Sequence, residues 1–296
     1  MKASDLRRGG NTSFLFKGPF GFGKTLAAAS FALDGPVYLS YWDKKSPIEL
    51  LTFFTKKRFG DLAEKILDNI TYDIYGPDNA NDYLNKMIDL TQDCRYFAVV
   101  NDSITFMTAA AVNWSMNFGK DPKTKKKIKD VLPDWDEYKV ETSLVTQCID
   151  LCKKLPCHVI WTAHPIPTTK VDGSGNSMRV NKINSIVSYG AKVAGIVPGS
   201  FTEIYHFSQQ ANWSTEGKSS KKFIVNTEAV GDEFAKSPLL GDYVKEFDIT
   251  DKLFYTVWKE LINESMGIVS SDNKIEETNQ PQITNPFNTQ QSKWRV

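Results

Sequence analysis

Residues 18–25, GPFGFGKT, fit the pattern G-x-x-x-x-G-K-[ST], with Gly18, Gly23, Lys24 and Thr25 in the fixed places. This is the signature of a phosphate-binding loop. Glycines let successive backbone N–H groups turn toward a polyanion without a Cβ in the way. The helix that follows adds unpaired amides and the positive end of its dipole. The expected nucleotide contacts are Gly18, Pro19, Phe20, Gly21, Phe22, Gly23, Lys24, Thr25 and Leu26. In such a loop Lys24 reaches the β- and γ-phosphates and Thr25 holds Mg²⁺, so the expected cofactors are ATP and Mg²⁺.

The motif carries meaning only between a strand and a helix, and both are present. Residues 11–17 (NTSFLFK) are short, β-prone and apolar, and residues 26–33 (LAAASFAL) form a helical run that stops at Asp34-Gly35-Pro36. The alternation continues. Residues 36–42 (PVYLSYW) have strand character, 46–67 read as helical with a break near Gly60, 69–75 (NITYDIY) form a third strand, and 81–90 form an amphipathic helix. A strand at 95–102, helices at 104–118 and 134–155, and a strand at 157–163 (CHVIWTA) follow, then two strands at 201–209 and 221–227 around an exposed turn and a last helix at 248–264. This predicts an α/β fold: a mostly parallel twisted sheet with helices on both faces and an antiparallel hairpin near the C-terminus. With 296 residues the chain accommodates one large domain at 1–264, and the Asn-, Gln-, Thr-, Ser- and Pro-rich stretch at 265–296 reads as a disordered polar tail.

Three further positions carry chemistry. The apolar run 96–100 leads to Asn101-Asp102, and a strand ending in an acid beside a phosphate loop supplies the carboxylate that orients a Mg²⁺ water, with Ser103 as cap of the next helix. Asp43 ends the second strand, where open α/β sheets place ligand contacts. It reads either as an acid positioning the attacking water or as a turn and N-cap residue before Pro47. His164 ends the strand at 157–163 and is the expected sensor of the γ-phosphate.

The net charge of +1 gives no global attraction to nucleic acid or membrane, so any such binding rests on local patches. The lysine-dense segment 119–130 (GKDPKTKKKIKD) is either a solvated loop or a set of phosphate contacts. The long polar segment 165–199 holds Lys170, Arg179, Lys182 and Lys192 with Asp172 as its only acid, a basic element hanging from His164. Cys148 and Cys152 recur with Leu144, Leu151 and Leu155 at helical spacing. No C-x-x-C pair exists, so all four cysteines, Cys94 and Cys157 included, read as reduced thiols of the core rather than zinc ligands. No apolar run reaches about twenty residues and residues 1–10 are polar and basic, so a cytoplasmic protein without membrane contact is expected.

With GPFGFGKT, FAVVNDSIT (97–105), the Asp134-Trp135 stretch, VIWTAHP (159–165) and IVPGSFTEIYHF (196–207) in order, residues 12–236 resemble RecA-fold P-loop ATPases, specifically the short RecA-like single-strand annealing and recombination proteins of phages. The resemblance implies a RecA-like core in which Gly18, Gly23, Lys24 and Thr25 bind ATP and Mg²⁺, Asp102 is the carboxylate at the metal, and His164 stands at the sensor position. It further implies that residues 165–192 form the mobile DNA-binding loop, that single-stranded DNA is the partner, and that copies assemble into a homo-oligomer, filament or ring. A lysine acting across the subunit boundary is then one of Lys218, Lys221, Lys222 and Lys236. The family commonly has Glu at the end of the second strand. Here SYWDKK leaves Asp43 as a shorter substitute, which implies slow hydrolysis. Rival readings keep the ATPase but give it another partner, in helicase loading or DNA packaging, or keep the nucleotide as a gate for assembly with little turnover.

Overall fold

Phe14 and Phe16 point to one side of a strand and Leu15 to the other, and the two sides bury against different sets of helices. A computed structural model describes residues 11–42, 47–118, 133, 135–165, 167–171, 177–181, 191–213, 219–230 and 234–268. In chain order the elements are β1 (Ser13–Lys17), α1 (Lys24–Ala29), β2 (Val37–Tyr41), α2 (Pro47–Phe59), α3 (Leu62–Asp68), β3 (Ile70–Ile74), α4 (Ala80–Gln92), β4 (Ala98–Asp102), α5 (Ile104–Phe118) and α6 (Trp135–Cys152). Then follow β5 (His158–Ala163), β6 (Pro167–Val171), β7 (Ser177–Asn181), α7 (Ala191–Ile196), β8 (Glu203–Trp213), β9 (Ser219–Asn226), β10 (Glu246–Asp248) and α8 (Phe254–Ser265).

Eight strands form one sheet in the order β10-β9-β8-β1-β5-β4-β2-β3. From β8 to β3 every neighbour is parallel, whereas β9 and β10 add antiparallel to β8. This is the mostly parallel sheet with a C-terminal antiparallel edge expected of a RecA-like core. On one face Phe14, Phe16, Leu39, Val100 and Phe207 pack against α1, α2, α3 and α8, and on the other Leu15, Tyr38, Val99 and Trp161 pack against α4, α5, α6 and α7. Each fully buried large apolar side chain contributes about 1.5–3 kcal/mol, so two such layers fix the sheet firmly. A buried polar chain braces β8: Trp258 Nε1 donates to Tyr205 Oη (3.0 Å), which donates to Glu203 Oε2 (2.8 Å).

The order matters for chemistry because β5 lies between β1 and β4. Register aligns Lys17 with Ala163 and Tyr41 with Asp102, so the carboxyl ends of β1, β2, β4 and β5 share one edge. Ligands bind at that edge in open α/β sheets.

Several elements differ from the sequence expectation. The helix at 26–33 is α-helical only from Lys24 to Ala29 and tightens into a 3₁₀ turn over Ser30–Leu33. Ser30 Oγ donates to Ala27 O (2.5 Å) and accepts from Tyr255 N (3.0 Å), a side-chain alternative to the helix ladder. The segment 165–199, expected as an irregular loop, contains the hairpin β6–β7, α7 and a 3₁₀ turn. PTTKV, with Thr168, Thr169 and Val171, is rich in β-branched residues, and SMRVN carries Val180, on either side of turn-forming residues. The last helix starts at Phe254, not at 248, because Glu246–Asp248 pair with β9 and Asp248 Oδ1 accepts from Thr250 N (2.7 Å), a turn that competes with helix. The four cysteines are free and packed in the interior. Cys148, Cys152 and Cys157 are buried, and burial raises all three thiols, Cys152 to about 12.

Candidate functional site

The phosphate loop leaves β1 at Gly18, where an added Cβ would lie 2.5 Å from Phe207 O of β8, so only glycine permits this approach. Gly21 (φ 76°) and Gly23 (φ 85°) adopt left-handed conformations, and Gly23 starts α1, its carbonyl accepting from Ala27 N at 2.8 Å. Lys24 is buried, and its ammonium folds back into the loop. Nζ donates to Gly18 O (2.7 Å), Pro19 O (2.8 Å) and His164 Nδ1 (3.2 Å). Burial pulls Lys24 down to about 8, against the opposing pull of Asp102.

Asp102 is the last residue of β4. Its Oδ2 accepts from Thr25 Oγ1 (2.6 Å) and its Oδ1 from Thr162 Oγ1 (2.5 Å) of the intervening strand β5. A hydroxyl and a carboxylate brought together beside a glycine cradle are hard oxygen donors of the kind Mg²⁺ takes, so these residues fit the expected metal. Ser103 caps α5, accepting from Phe106 N at 3.4 Å.

His164 follows β5 directly. Its backbone N donates to Thr105 Oγ1 (3.0 Å) and its ring stacks on Phe20 at 3.7 Å, with the Phe106 ring edge-on at 6.0 Å. Desolvation first, then the Lys24 cation, lowers the imidazole to about 3, so it is neutral at physiological pH. With Nδ1 accepting from Lys24, the ring proton sits on Nε2.

Lys24, Thr25, Asp102 and His164 line a cleft of about 560 Å³ together with Tyr41, Phe54, Arg58 and Phe223. Pro19 supplies a carbonyl to Lys24, Phe20 is 66% exposed over His164, and Phe22 packs on the core. Sequence reasoning missed Thr162, Thr105, Tyr41, Arg58 and Phe223. The Oη of Tyr41 is buried without a hydrogen-bond partner among the described residues. Desolvation and the neighbouring Asp102 push this phenol well above its ordinary range. A polar threonine near the end of an apolar strand was a usable signal for Thr162. Arg58 and Phe223 meet only through tertiary structure.

The structure brings Lys24, Thr25, Asp102 and His164 together. Asp43, the lysines of 119–130, Lys182, Lys218 and the stretch 269–296 lie outside the described residues. Lys170 and Arg179 occupy β6 and β7, where Lys170 pairs with Met178 and Thr169 with Arg179, and Lys192 lies in α7. Lys221 and Lys222 are exposed on β9, Lys222 forms an ion pair with Asp248 at 3.7 Å, and Lys236 bridges to Ile204. No helix among the described residues is long and apolar enough to cross a membrane.

Among solved structures, the chain is similar to a KaiC-like protein from the hyperthermophilic archaeon Pyrococcus horikoshii, with 16% identity, a TM-score of 0.38, and coverage of 73% of this chain and 78% of that one. No family model and no curated protein matches.

Proposed function

We propose that this chain is a magnesium-dependent ATPase whose nucleotide state governs its grip on single-stranded DNA, acting in recombination or strand annealing in the cytoplasm as a head-to-tail homo-oligomer. The contact that carries this reading is Lys24 Nζ to His164 Nδ1, 3.2 Å, between the residue that grips phosphate and the residue that begins the basic segment. Lys24 now satisfies itself on two loop carbonyls and an imidazole. A triphosphate offers charged acceptors, which hold an ammonium more strongly than neutral ones do. When Lys24 turns to them, His164 loses the donor at Nδ1. His164 precedes Pro165 and the segment containing Lys170, Arg179, Lys182 and Lys192, so its rearrangement passes to residues suited to a DNA backbone. Thr25 and Asp102 would hold Mg²⁺, which when bound would supply charge neutralisation at the transferring phosphoryl group.

The test is single-strand affinity with a non-hydrolysable ATP analogue against ADP. Tighter binding with the analogue is expected, along with ATPase stimulation by single-stranded over duplex DNA. Equal affinity in both states removes the coupling, and stimulation by duplex alone favours a loader or packaging motor.

A second reading, a nucleotide-gated assembly protein with little turnover, draws on one observation. Among the described residues lining the cleft Asp102 is the sole carboxylate, and both its oxygens are engaged by threonines. DNA-stimulated turnover abolished by Asp43→Ala would exclude it.

A further inference from the structure

Under the function proposed above, on which this inference rests, Lys24, Asp102 and His164 mark the γ-phosphate end of the cleft. Beside the start of α1, Gly23 faces a second group of residues that line the same cleft. An added Cβ there would lie 3.8 Å from Phe223 Cδ1 and 4.0 Å from Arg58 Nη1. Phe223 comes from β9 and Arg58 from the last turn of α2, and the guanidinium carbon lies 5.0 Å from the Phe223 ring centroid.

Both groups are fixed from behind. Arg58 Nε donates to Thr250 O at 3.0 Å, and Nη2 donates to Thr250 O at 2.6 Å and to Ile249 O. Phe223 N donates to Thr250 Oγ1 (2.9 Å), and Phe223 O accepts from Ile249 N (2.9 Å). The backbone N–H and C=O of Phe223 and the Nε and Nη2 of Arg58 are thus committed to the loop between β10 and α8, while Arg58 Nη1 is the guanidinium nitrogen that faces Gly23. What they present to the cleft is a ring and a flat cation, with Leu26, Leu50 and Phe54 lining the same space. The other cation at this end, Lys57, sits over the Phe53 ring at 5.9 Å.

We propose that Phe223 and Arg58 form the platform on which the nucleobase stacks, and that the site takes adenine and guanine nucleotides alike because it reads the face of the base rather than its edge. Every base has a π-face, so stacking on an aromatic ring is tolerant of base identity. A guanidinium adds a planar, weakly hydrated cation suited to the same face. Strong discrimination between bases requires buried donors and acceptors aimed at the base edge.

The test is calorimetry of the full chain with Mg²⁺ and three probes: ATP, GTP and inorganic tripolyphosphate. The wild type is expected to bind ATP and GTP within about threefold of each other, and tripolyphosphate about tenfold more weakly, the share that one stacked base contributes. Phe223→Leu keeps apolar bulk without a ring, and it is expected to weaken both nucleotides about tenfold while tripolyphosphate binding stays unchanged. That last control also shows that the variant is folded. Preference for ATP over GTP beyond about a hundredfold overturns the proposal, because stacking alone does not give such a ratio. So does a Phe223→Leu variant with unaltered nucleotide affinity, or one that loses tripolyphosphate as well, which would assign Phe223 to holding the loop. Wild type that binds none of the three probes removes the phosphate-loop reading itself, an outcome distinct from the others.

Discussion

Thr25 Oγ1 donates to Asp102 Oδ2 at 2.6 Å, although 77 residues separate them in the chain. One lies in the first turn of α1 and the other ends β4, and the strand between β1 and β4, β5, adds Thr162 to the opposite oxygen of the carboxylate. A carboxylate held on both oxygens is oriented before any ligand arrives, the form of preorganisation that metal sites draw from surrounding groups.

Asp102→Asn and Thr25→Ala are each expected to weaken Mg²⁺-dependent ATP binding by about 10–100-fold while leaving the fold intact, and Thr25→Ser is expected to retain most of the affinity. Titrating ATP with and without Mg²⁺ checks this. An unchanged Mg²⁺ dependence in Asp102→Asn would place the metal elsewhere.

Gly18→Ala and Gly21→Ala set crowding added to a positive φ (155°) against a positive φ alone (76°). At Gly18 the new methyl meets the Phe207 carbonyl at 2.5 Å, and backbone must move. At Gly21 nothing lies within 4 Å, and the positive φ is the sole penalty. Gly21→Ala is expected to cost about 1 kcal/mol and Gly18→Ala about 2–3 kcal/mol or more. Urea midpoints that rank them in the reverse order contradict the close approach of β1 to β8.

Much of this site was legible in the residues themselves. GPFGFGKT between a strand and a helix announced the loop, and the acid after FAVVN together with the histidine after VIWTA marked the ends of β4 and β5. The helix expected at 104–118 behind the Ser103 cap is α5, Ile104–Phe118. What escaped was non-local. The strand Glu246–Asp248 has only three residues and exists because β9 pairs with it. Arg58 and Phe223 share a surface only after α2 and β9 converge, and no local pattern encodes that. The hairpin β6–β7 escaped because glycines and basic residues dominate the window, and of its strands only β6 is rich in β-branched residues.

Tyr41→Phe is expected to raise the stability of the free protein. The Tyr41 hydroxyl is buried without a partner among the described residues, and an unsatisfied buried hydroxyl costs about 1–3 kcal/mol. Thermal denaturation of ligand-free protein tests it, and a clear loss of stability in Tyr41→Phe would mean that the hydroxyl is satisfied.

His158 and His164 are lowered to about 4 and about 3, both chiefly by desolvation. Between pH 6.5 and those values the unfolded chain binds more protons than the folded one, so stability rises with pH across that window and is lost on acidification. The melting temperature is expected to fall by several degrees from pH 7 to pH 4.5. His158 Nδ1 accepts from Thr12 N at 3.2 Å, and His158→Gln keeps an acceptor without the titration. This variant is expected to lose part of the acid sensitivity, and an identical pH profile would sink the assignment.

Lys24 gives the last prediction. Its folded value of about 8 lies below the ordinary 10.5. In the ligand-free protein the unfolded chain therefore holds more protons between those limits, and this group makes the fold more stable as pH rises from about 8 toward 10.5. A triphosphate reverses the balance, since a polyanion beside Nζ favours the charged ammonium. Binding near pH 8 must then take up a fraction of a proton, and affinity must fall as pH rises above 8 by up to about tenfold per unit. Calorimetry of ATP binding in two buffers with different ionisation enthalpies reads the uptake directly, and Lys24→Arg, which stays charged throughout, is expected to show none. Equal proton uptake in wild type and Lys24→Arg would assign the titration to another group and detach Lys24 from the phosphate.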